Sequence, residues 1–488
     1  MDILFDKDKP HFATWLWVYD IDRDRYGNGD SHIGHIRPEQ LNRVPLYYAA
    51  LCGFRGLVER LLTAYPQDLD VEGGKLGAPL NAALAEGHLN IAQVLLDHGA
   101  VGDTPGFRKQ TGLYIASSRG HANVVRSLMN RGANLNARCE DCKTKFGLVW
   151  WTPLHEAIYT DHPDIALLLL ECGADPETQD NEDQTPLFIA SSRGYTDVVQ
   201  SLIDCGADLN AKSWGWPDTT TTEKWWTPLH AAILEEHPDV ALLLLEHGSD
   251  PEIRSSQGKT ALHVASSSDC ADIIIPQLIS RGADPNAATS VFGTPLHVSL
   301  MAGKPEITRI LLEQGANPNA QNTWGQTALH KASGYGGPEI ARILLEHGTN
   351  PNTPDHSGRT ALHEASAYGR PEITRVLLEQ GVNPNALDDS GRTALHEASE
   401  NTIVDLLLEY GANVDAQDEE GWTPLHNAAW FLKLQVLVAL LDRGTDLYAL
   451  TNNGETPFRF AKASYGWASK KGQAEVIQLL SELTGERI

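Results

Sequence analysis

The sequence predicts an all-α solenoid of stacked helix-turn-helix repeats, and three observations support this fold class. A tetrad of the form Thr-Pro-Leu-His or Thr-Ala-Leu-His recurs thirteen times along the 488 residues, eight times intact. The third residue of the tetrad recurs mostly at steps of 33 or 34 residues, and a second recurrent pattern follows it. A fixed period of this length is typical of a solenoid, in which each repeat adds one layer to a continuous core.

The tetrads mark where each predicted repeat begins. Intact tetrads begin at Thr152, Thr227, Thr260, Thr294, Thr327, Thr360, Thr393 and Thr423, and degenerate ones at Val44, Ala78, Thr111, Thr185 and Thr456. The Thr hydroxyl is expected to cap a helix N-terminus, and proline fits the first turn, where its missing N–H costs nothing. The leucine is expected in the core, and small residues after the His keep the first helix thin.

The second half of each repeat predicts a second helix, as residues 371–386 illustrate. Pro371 begins this helix, and Glu372 follows near its positive N-terminal end. The pair Leu377-Leu378 forms the core face, and Gly381 suits the left-handed cap at the C-terminus. The Asn-rich stretch that follows has the composition of a turn.

The tetrad, the period and the second half together resemble the ankyrin repeat, from about residue 44 to the C-terminus. The resemblance implies that each Asn/Asp-rich stretch forms a hairpin, called a finger below, at right angles to the helices. It also implies that the tetrad His residues form hydrogen bonds within and between repeats, so we expect no metal there. The predicted organisation is an aromatic capping segment and linker at 1–43, repeats 1–12 at 44–454 and an atypical capping repeat at 455–488.

Composition limits the classes of partner and the cellular location. The net charge of −26 argues against DNA or RNA as a direct partner, because affinity for phosphates comes from clustered Lys and Arg. The acidic excess also keeps a long apolar-cored stack soluble. We find neither a secretory signal nor an apolar run long enough to span a membrane, and six scattered cysteines predict no disulfides. These features predict a cytoplasmic protein, with the nucleus as an alternative.

Two fingers are lengthened by eight and nine residues, near 138–151 and 212–226, and both end in Trp-Trp before the tetrad. They contain six of the twelve tryptophans: Trp150, Trp151, Trp214, Trp216, Trp225 and Trp226. A finger has little core, and Trp is a leading residue of binding hot spots, so these side chains are candidate partner contacts. The alternative is that the tryptophans pack on one another and on the repeat between them.

A second aromatic set falls where ankyrin proteins usually contact partners. These places are the finger tips and the end of the first helix, on the concave side. The candidate residues at these positions are Tyr159, Trp324, Tyr335, Tyr368, Trp422, Trp430 and Phe431.

Motifs for chemistry are few. Cys139 and Cys142 have the spacing of zinc ligands, but two further ligands are lacking. We find no phosphate-binding loop, no dinucleotide-binding glycine motif and no nucleophile elbow. We therefore predict no catalytic residue, no metal and no cofactor. The alternative is an enzyme with a pocket beneath the Trp-rich fingers. A buried Asp, Glu or His between residues 150 and 230 that has no structural partner would favour this alternative.

The predicted function is a scaffold or sensor that binds another protein through the concave face and the fingers. A co-regulator of transcription that acts through protein binding is a further alternative. The segments 11–20 and 44–58 resemble the junction of filamentous-fungal NACHT-ankyrin proteins, which are STAND-class sensors. This resemblance covers about 60 residues and implies the sensor half of such a protein, without its NTPase.

Two departures from the repeat predict local behaviour. The step from Leu395 to Leu425 is 30 residues, and the missing residues fall around Glu400 and Asn401, between the two helices. This layer should couple less well to its neighbours. At the N-terminus, the side chains of Phe12, Trp15, Trp17 and Tyr19 are candidates to cover the apolar face of the first repeat.

Overall fold

The structure is a computed structural model that describes residues 44–144, 147–214, 225–463 and 470–485. The predicted N-terminal cap at 1–43, with Phe12, Trp15, Trp17 and Tyr19, and the candidate contact Trp216 lie outside the described residues. The chain forms two compact units, unit 1 at Met1–Ser256 and unit 2 at Gln257–Ile488.

In unit 1 each repeat contributes two helices. These are α1 Pro45–Leu51, α2 Arg55–Ala64, α3 Pro79–Ala85, α4 Leu89–Asp97, α5 Gly112–Ser118, α6 Ala122–Asn130, α7 Pro153–Tyr159, α8 Pro163–Glu171, α9 Pro186–Arg193, α10 Thr196–Asp204, α11 Pro228–Leu234 and α12 Pro238–Glu246. Short 3-10 turns lie at Pro66–Asp68 and Phe107–Lys109. The long fingers supply the strands β1 Cys139–Thr144, β2 Gly147–Trp151, β3 Ser213–Trp214 and β4 Trp225–Trp226.

Unit 2 continues the same alternation of first and second helices. These are α13 Ala261–Ala265, α14 Ala271–Ser280, α15 Pro295–Met301, α16 Pro305–Glu313, α17 Ala328–Tyr335, α18 Pro338–Glu346, α19 Ala361–Ala367, α20 Pro371–Glu379, α21 Ala394–Glu397, α22 Asn401–Glu409, α23 Pro424–Trp430, α24 Leu434–Asp442, α25 Pro457–Ala463 and α26 Lys470–Thr484. The predicted all-α repeat solenoid is confirmed.

Where the tetrad ends in His, that side chain joins its repeat to the next finger. In repeat 4, Thr152 Oγ1 accepts the N–H of His155 at 3.5 Å and lies 2.8 Å from His155 Nδ1. Because Gln184 O can only accept, His155 Nε2 donates to it, at 3.2 Å. Burial lowers the pKa of His155 to about 4, so the imidazole is neutral near pH 7. The prediction that this His forms bonds within and between repeats is confirmed.

The same arrangement recurs through unit 2, where the ring of each tetrad His reaches a carbonyl of the following finger. His330 Nε2 lies 3.0 Å from Arg359 O, and His363 Nε2 lies 3.1 Å from Arg392 O. Burial lowers the pKa of both groups. These histidines are structural, because both ring nitrogens are committed to the chain.

The Asn/Asp-rich stretches link neighbouring repeats. Asn319 Oδ1 accepts the N–H of Asn350 at 2.7 Å, while Asn319 Nδ2 donates to Gly348 O at 3.3 Å. Gly348 and Gly381 have φ of 83° and 75°, as predicted for the left-handed cap after the second helix. The stack is therefore held by polar ladders as well as by its buried leucines.

Repeat 11 is shortened between its helices, where the sequence predicts the gap. Its first helix is four residues long, and Ala398 is already extended, with φ −47° and ψ 129°. The carbonyls at this helix end are capped by the following repeat, since Lys433 Nζ donates to Ala398 O at 2.8 Å. Repeat 7 also has a short first helix, and Lys304 Nζ donates to Ser268 O at 3.1 Å in the same manner.

Among the described residues, no helix combines the length and apolarity needed to cross a membrane. The same part of the chain contains no cluster of three or more His, Cys, Asp or Glu side chains arranged to hold a metal ion.

Candidate partner-binding surfaces

The long fingers are two-stranded antiparallel hairpins that divide their tryptophans between two faces. In the first, Cys139 pairs with Trp151 and Glu140 with Trp150. In the second, Ser213 pairs with Trp226 and Trp214 with Trp225. Successive side chains of a strand point to opposite faces, so one tryptophan of each Trp-Trp pair faces the repeat and the other faces outward.

The inward tryptophans belong to the core of unit 1. Trp151 is 2% exposed, packs with Tyr114 and Cys139, and its Nε1–H donates to Asp180 Oδ2 at 3.1 Å. Trp226 is also buried, with its ring 5.5 Å from the ring of His230. These two candidates therefore anchor the fingers and are not among the side chains that we propose to contact a partner.

The outward tryptophans are accessible, but two of them are covered by lysines of the same chain. The Nζ of Lys109 lies 4.2 Å from the ring centroid of Trp150, and that of Lys212 lies 4.3 Å from the ring centroid of Trp225. Trp214 is 49% exposed. Such cation–π contacts contribute about 0.5–1 kcal/mol at exposed sites, so a partner would compete with them for the ring faces.

A short finger lies between the two long ones and joins them. Asn181 Oδ1 accepts the N–H of Trp150 at 3.1 Å, and Glu182 O accepts the N–H of Trp214 at 2.9 Å. Gln184 Nε2 donates to Trp214 O at 3.1 Å. The outward face of these three fingers, with Trp150, Trp214 and Trp225, is called the tryptophan ridge below. Both long fingers are thus hydrogen-bonded to the finger between them, and binding of a partner at the outward face stays a prediction.

Buried ionisable groups beneath the ridge have structural partners. Asp180 accepts the N–H groups of Glu182 and Gln184, both at 2.8 Å, and burial raises the pKa of Asp180. Glu156 is fully buried and accepts the hydroxyl of Tyr114 at 2.7 Å. Together with His155, these groups hold the fold, so they do not meet the criterion that would favour a catalytic pocket.

Unit 2 presents exposed aromatic side chains at the ends of the first helices of repeats 9, 10 and 12, and in the finger before repeat 9. Trp324, Tyr335, Tyr368 and Phe431 are 46–64% exposed, and the set is called the aromatic row below. Met301 belongs with them, because it ends the first helix of repeat 8 and is 69% exposed. Sequence reasoning missed Met301 because the search was for aromatic residues, although Met301 has the same offset from the tetrad leucine as Tyr159.

Tyr335 and Tyr368 form a pair across repeats 9 and 10. Their ring centroids are 5.0 Å apart and their hydroxyl oxygens 2.8 Å apart. That hydrogen bond, with some burial, raises the pKa of Tyr368 to about 12. A Cβ at Gly334 would lie 3.3 Å from the ring of Tyr368, so glycine lets the ring lie close over the helix end. The pair is therefore preorganised on the scaffold.

The other candidates of unit 2 are partly enclosed. Trp422 and Trp430 are half-buried and pack edge-to-face on Phe460, at centroid distances of 4.3 and 5.7 Å. Rings this close leave no space between them for a ligand. In unit 1, Tyr159 is also half-buried, with the Cζ of Arg193 4.8 Å from its ring centroid.

Cations beside the aromatic row are committed to the chain. Arg359 pairs with Glu364 at 3.4 Å, and Lys331 Nζ lies 5.5 Å from the ring centroid of Trp324. In the next repeat, Arg392 pairs with Glu397 at 2.8 Å. Lys433 Nζ likewise lies 5.7 Å from the ring centroid of Phe431, so the Tyr335–Tyr368 pair is the part of the row whose ring faces no cation of the described residues covers.

A family model for ankyrin repeats in three copies matches most of the chain. The matched segments are 46–139, 113–213, 215–289, 273–355, 296–388, 347–418 and 362–451. The chain belongs to the ankyrin-repeat family. Ankyrin repeats are protein-interaction modules, so the family agrees with the surfaces described above in the general class of function.

Similarity to individual ankyrin-repeat proteins is limited to part of their length. The chain is 33% identical over 219 residues to ankyrin repeat and SOCS box protein 16 of Mus musculus, covering 43% of this chain and 44% of that protein. It is 30% identical over 185 residues to ankyrin repeat protein nuc-2 of Neurospora crassa, covering 33% and 17%. With E3 ubiquitin-protein ligase KEG of Arabidopsis thaliana it shares 28% identity over 264 residues, covering 50% and 15%. The chain thus spans less than half of the length of each of these relatives.

Proposed function

We propose that this ankyrin-repeat protein binds a partner protein through the aromatic row of unit 2. The observation that supports the proposal is that Tyr335, Tyr368 and Phe431 are about half exposed at equivalent helix ends, with the exposed Trp324 in the finger before the first of them. Tyr and Trp are enriched at binding hot spots. They are held here by the stacked helices, so a partner that buries them loses little conformational freedom.

The tryptophan ridge of unit 1 is proposed as a second contact surface. The ring of Trp214 is the more open one. A partner that contacts the rings of Trp150 and Trp225 must first displace the lysines that cover them. We therefore expect the ridge to contribute less per ring than the Tyr335–Tyr368 pair of the aromatic row, which no cation in the described part of the chain covers.

We further propose that the protein acts as a scaffold or a sensor in the cytoplasm or the nucleus, and that it does so by binding a partner at these surfaces. The sensor role is supported by the resemblance of segments 11–20 and 44–58 to the junction of NACHT-ankyrin proteins. A co-regulator of transcription would use the same surfaces.

Affinity capture from an extract of the source cells tests the proposal. The bait is the full chain, compared with Tyr335→Ala/Tyr368→Ala/Phe431→Ala for the row and Trp150→Ser/Trp214→Ser/Trp225→Ser for the ridge. Tyr410→Ala/Tyr448→Ala is the matched control, because these exposed tyrosines lie off both surfaces. Circular dichroism confirms that each bait retains its helices.

We expect the row variant to lose a captured protein that the wild type and the control retain, and the ridge variant to capture less of it. Equal capture of the same proteins by the row variant and the wild type would contradict the proposal. Equal loss with the control would show that exposed aromatic residues anywhere on the chain capture proteins nonspecifically, which would also contradict it.

A further inference from the structure

Unit 1 contains a tyrosine, an arginine and a carboxylate assembled within the chain. The guanidinium of Arg193 covers the ring of Tyr159, at the end of the first helix of repeat 4. The carboxylate of Asp161 lies beside them and accepts the hydroxyl of Tyr195. The charges of Asp161 and Arg193 both act on Tyr195, raising and lowering its pKa respectively, so the four side chains lie in one neighbourhood.

Unit 2 presents the tyrosine and the carboxylate at comparable helix ends. The Tyr335–Tyr368 pair is open, and Glu400 lies against Gly369, the residue after Tyr368. A Cβ built on Gly369 would be 3.0 Å from Glu400 Oε1. Glu400 reaches this place because repeat 11 lacks the usual turn, so that its second helix begins at Asn401.

Among the described residues of unit 2, no cation covers the ring of Tyr335 or Tyr368 as Arg193 covers the ring of Tyr159, although the charges of Arg359 and Glu364 both act on Tyr368. Arg359 is paired with Glu364 at 3.4 Å, Arg370 Nε donates to Gly334 O at 3.2 Å and Lys433 Nζ to Ala398 O at 2.8 Å. Each of these cations caps or neutralises another group of the chain.

We propose that Tyr335, Tyr368 and Glu400 bind an arginine side chain in a basic segment of the partner protein. This inference rests on the proposed function and adds the chemistry of the partner. A planar guanidinium can stack on an aromatic ring while its N–H fork meets a carboxylate, whereas the compact ammonium of lysine cannot do both as well. The net charge of −26 favours approach of a basic segment to the chain as a whole.

Fluorescence anisotropy with defined peptides tests the inference. The full chain is titrated into fluorescein-labelled dodecapeptides of alternating Arg and Ser, Lys and Ser, or Glu and Ser, at about 0.15 M salt to screen distant charges. We expect the Arg peptide to bind about fivefold more tightly than the Lys peptide, and the Glu peptide to bind most weakly.

Three variants assign the preference to the site. Tyr335→Ala/Tyr368→Ala and Glu400→Gln should each weaken binding of the Arg peptide about fivefold and remove the preference over Lys. Tyr335→Phe/Tyr368→Phe keeps both ring faces and should retain the preference. The control Glu313→Gln/Glu346→Gln/Glu379→Gln removes three charges from exposed ends of second helices and should change the affinity for the Arg peptide less than twofold.

The outcomes separate this inference from the proposed function. Equal binding of Arg and Lys peptides, or a preference that survives the Ala double variant or Glu400→Gln, overturns the arginine site. If the row variant still loses its captured protein, the proposed function stands without that site. If the Arg preference maps to the site while capture from the extract is unaffected by the row variant, the arginine site stands and the proposed function fails.

Discussion

The tryptophan ridge of unit 1 and the aromatic row of unit 2 are both rich in aromatic residues, but the chain uses them differently. In the ridge, Trp151 and Trp226 are buried, and Lys109 and Lys212 cover two of the outward rings. In the row, the Tyr335–Tyr368 pair remains open, and the nearby cations serve other groups. The neighbours of an aromatic ring, more than the number of rings, therefore decide whether the ring is available to a partner.

The largest expected effect is the difference in stability between replacing a buried tryptophan and replacing an exposed one. Trp151→Ala should lower the free energy of unfolding by about 3–5 kcal/mol, because it empties a core site and leaves Asp180 without one of its donors. Trp324→Ala should change it by less than about 0.5 kcal/mol, since that ring is about half exposed. Urea unfolding followed by circular dichroism measures both, and similar losses for the two variants would contradict the division.

The next effect is the pH dependence of stability that the buried tetrad histidines cause, and both units share it. The folded-state pKa of His155, about 4, lies below the unfolded value of 6.5. Protons therefore bind the unfolded chain preferentially, and stability falls as the pH decreases from about 7 toward 4. At pH 5 the loss from His155 alone is about 2 kcal/mol, and His330 and His363 of unit 2 shift in the same direction.

Urea unfolding of wild type and His155→Gln at pH 7 and pH 5 measures this dependence. We expect the variant to be less stable at pH 7 and to lose less stability on acidification than the wild type. An identical loss in the two proteins would show that His155 does not carry its share of the pH dependence.

Smaller effects are expected when the arginine is removed from unit 1 or an arginine is introduced in unit 2. Arg193→Ala uncovers Tyr159 and should reduce stability by about 0.5–1 kcal/mol. Glu400→Arg places an arginine against Gly369, the residue after Tyr368, and should weaken binding of the Arg-Ser peptide at least about fivefold, because the carboxylate is lost and a like charge is added. Unchanged peptide affinity in Glu400→Arg would show that the peptide binds elsewhere.

An effect of similar size concerns repeat 11 inside unit 2. Its first helix has a single turn, so we expect its amides to exchange faster than those of repeats 9 and 10. Lys433→Met keeps an apolar stem, removes the donor to Ala398 O and should cost about 1 kcal/mol while speeding this exchange further. Hydrogen exchange measured by mass spectrometry would oppose this account if repeats 9 to 12 were uniformly protected.

The repeat architecture could be predicted from sequence because each residue of the tetrad has a local structural role that its chemistry determines. Thr152 caps, Pro153 fits the first turn and His155 joins the next finger, and the same residues recur at a fixed period. The two faces of Trp150-Trp151 could also have been inferred, since neighbouring residues of a strand point oppositely. Which face is buried depends on Asp180, 29 residues away from Trp151, and no local pattern shows that.

The openness of individual rings could not be predicted for a similar reason. Arg193 covers Tyr159 from the following repeat, and whether a long flexible side chain stacks on a ring or caps a helix depends on its three-dimensional surroundings. Arg370, which caps Gly334 O rather than covering Tyr368, illustrates the other result. Glu400 lies against Gly369, the residue after Tyr368, because the deletion in repeat 11 removes the usual turn.

Hydroxyl-radical footprinting of the full chain with and without its captured partner tests the central claim most directly. We expect the partner to protect Tyr335, Tyr368 and Trp324 several-fold, while the exposed control residues Tyr410 and Tyr448 keep their reactivity. Protection of Tyr410 and Tyr448 with no change at Tyr335 and Tyr368 would contradict the claim that the aromatic row binds the partner.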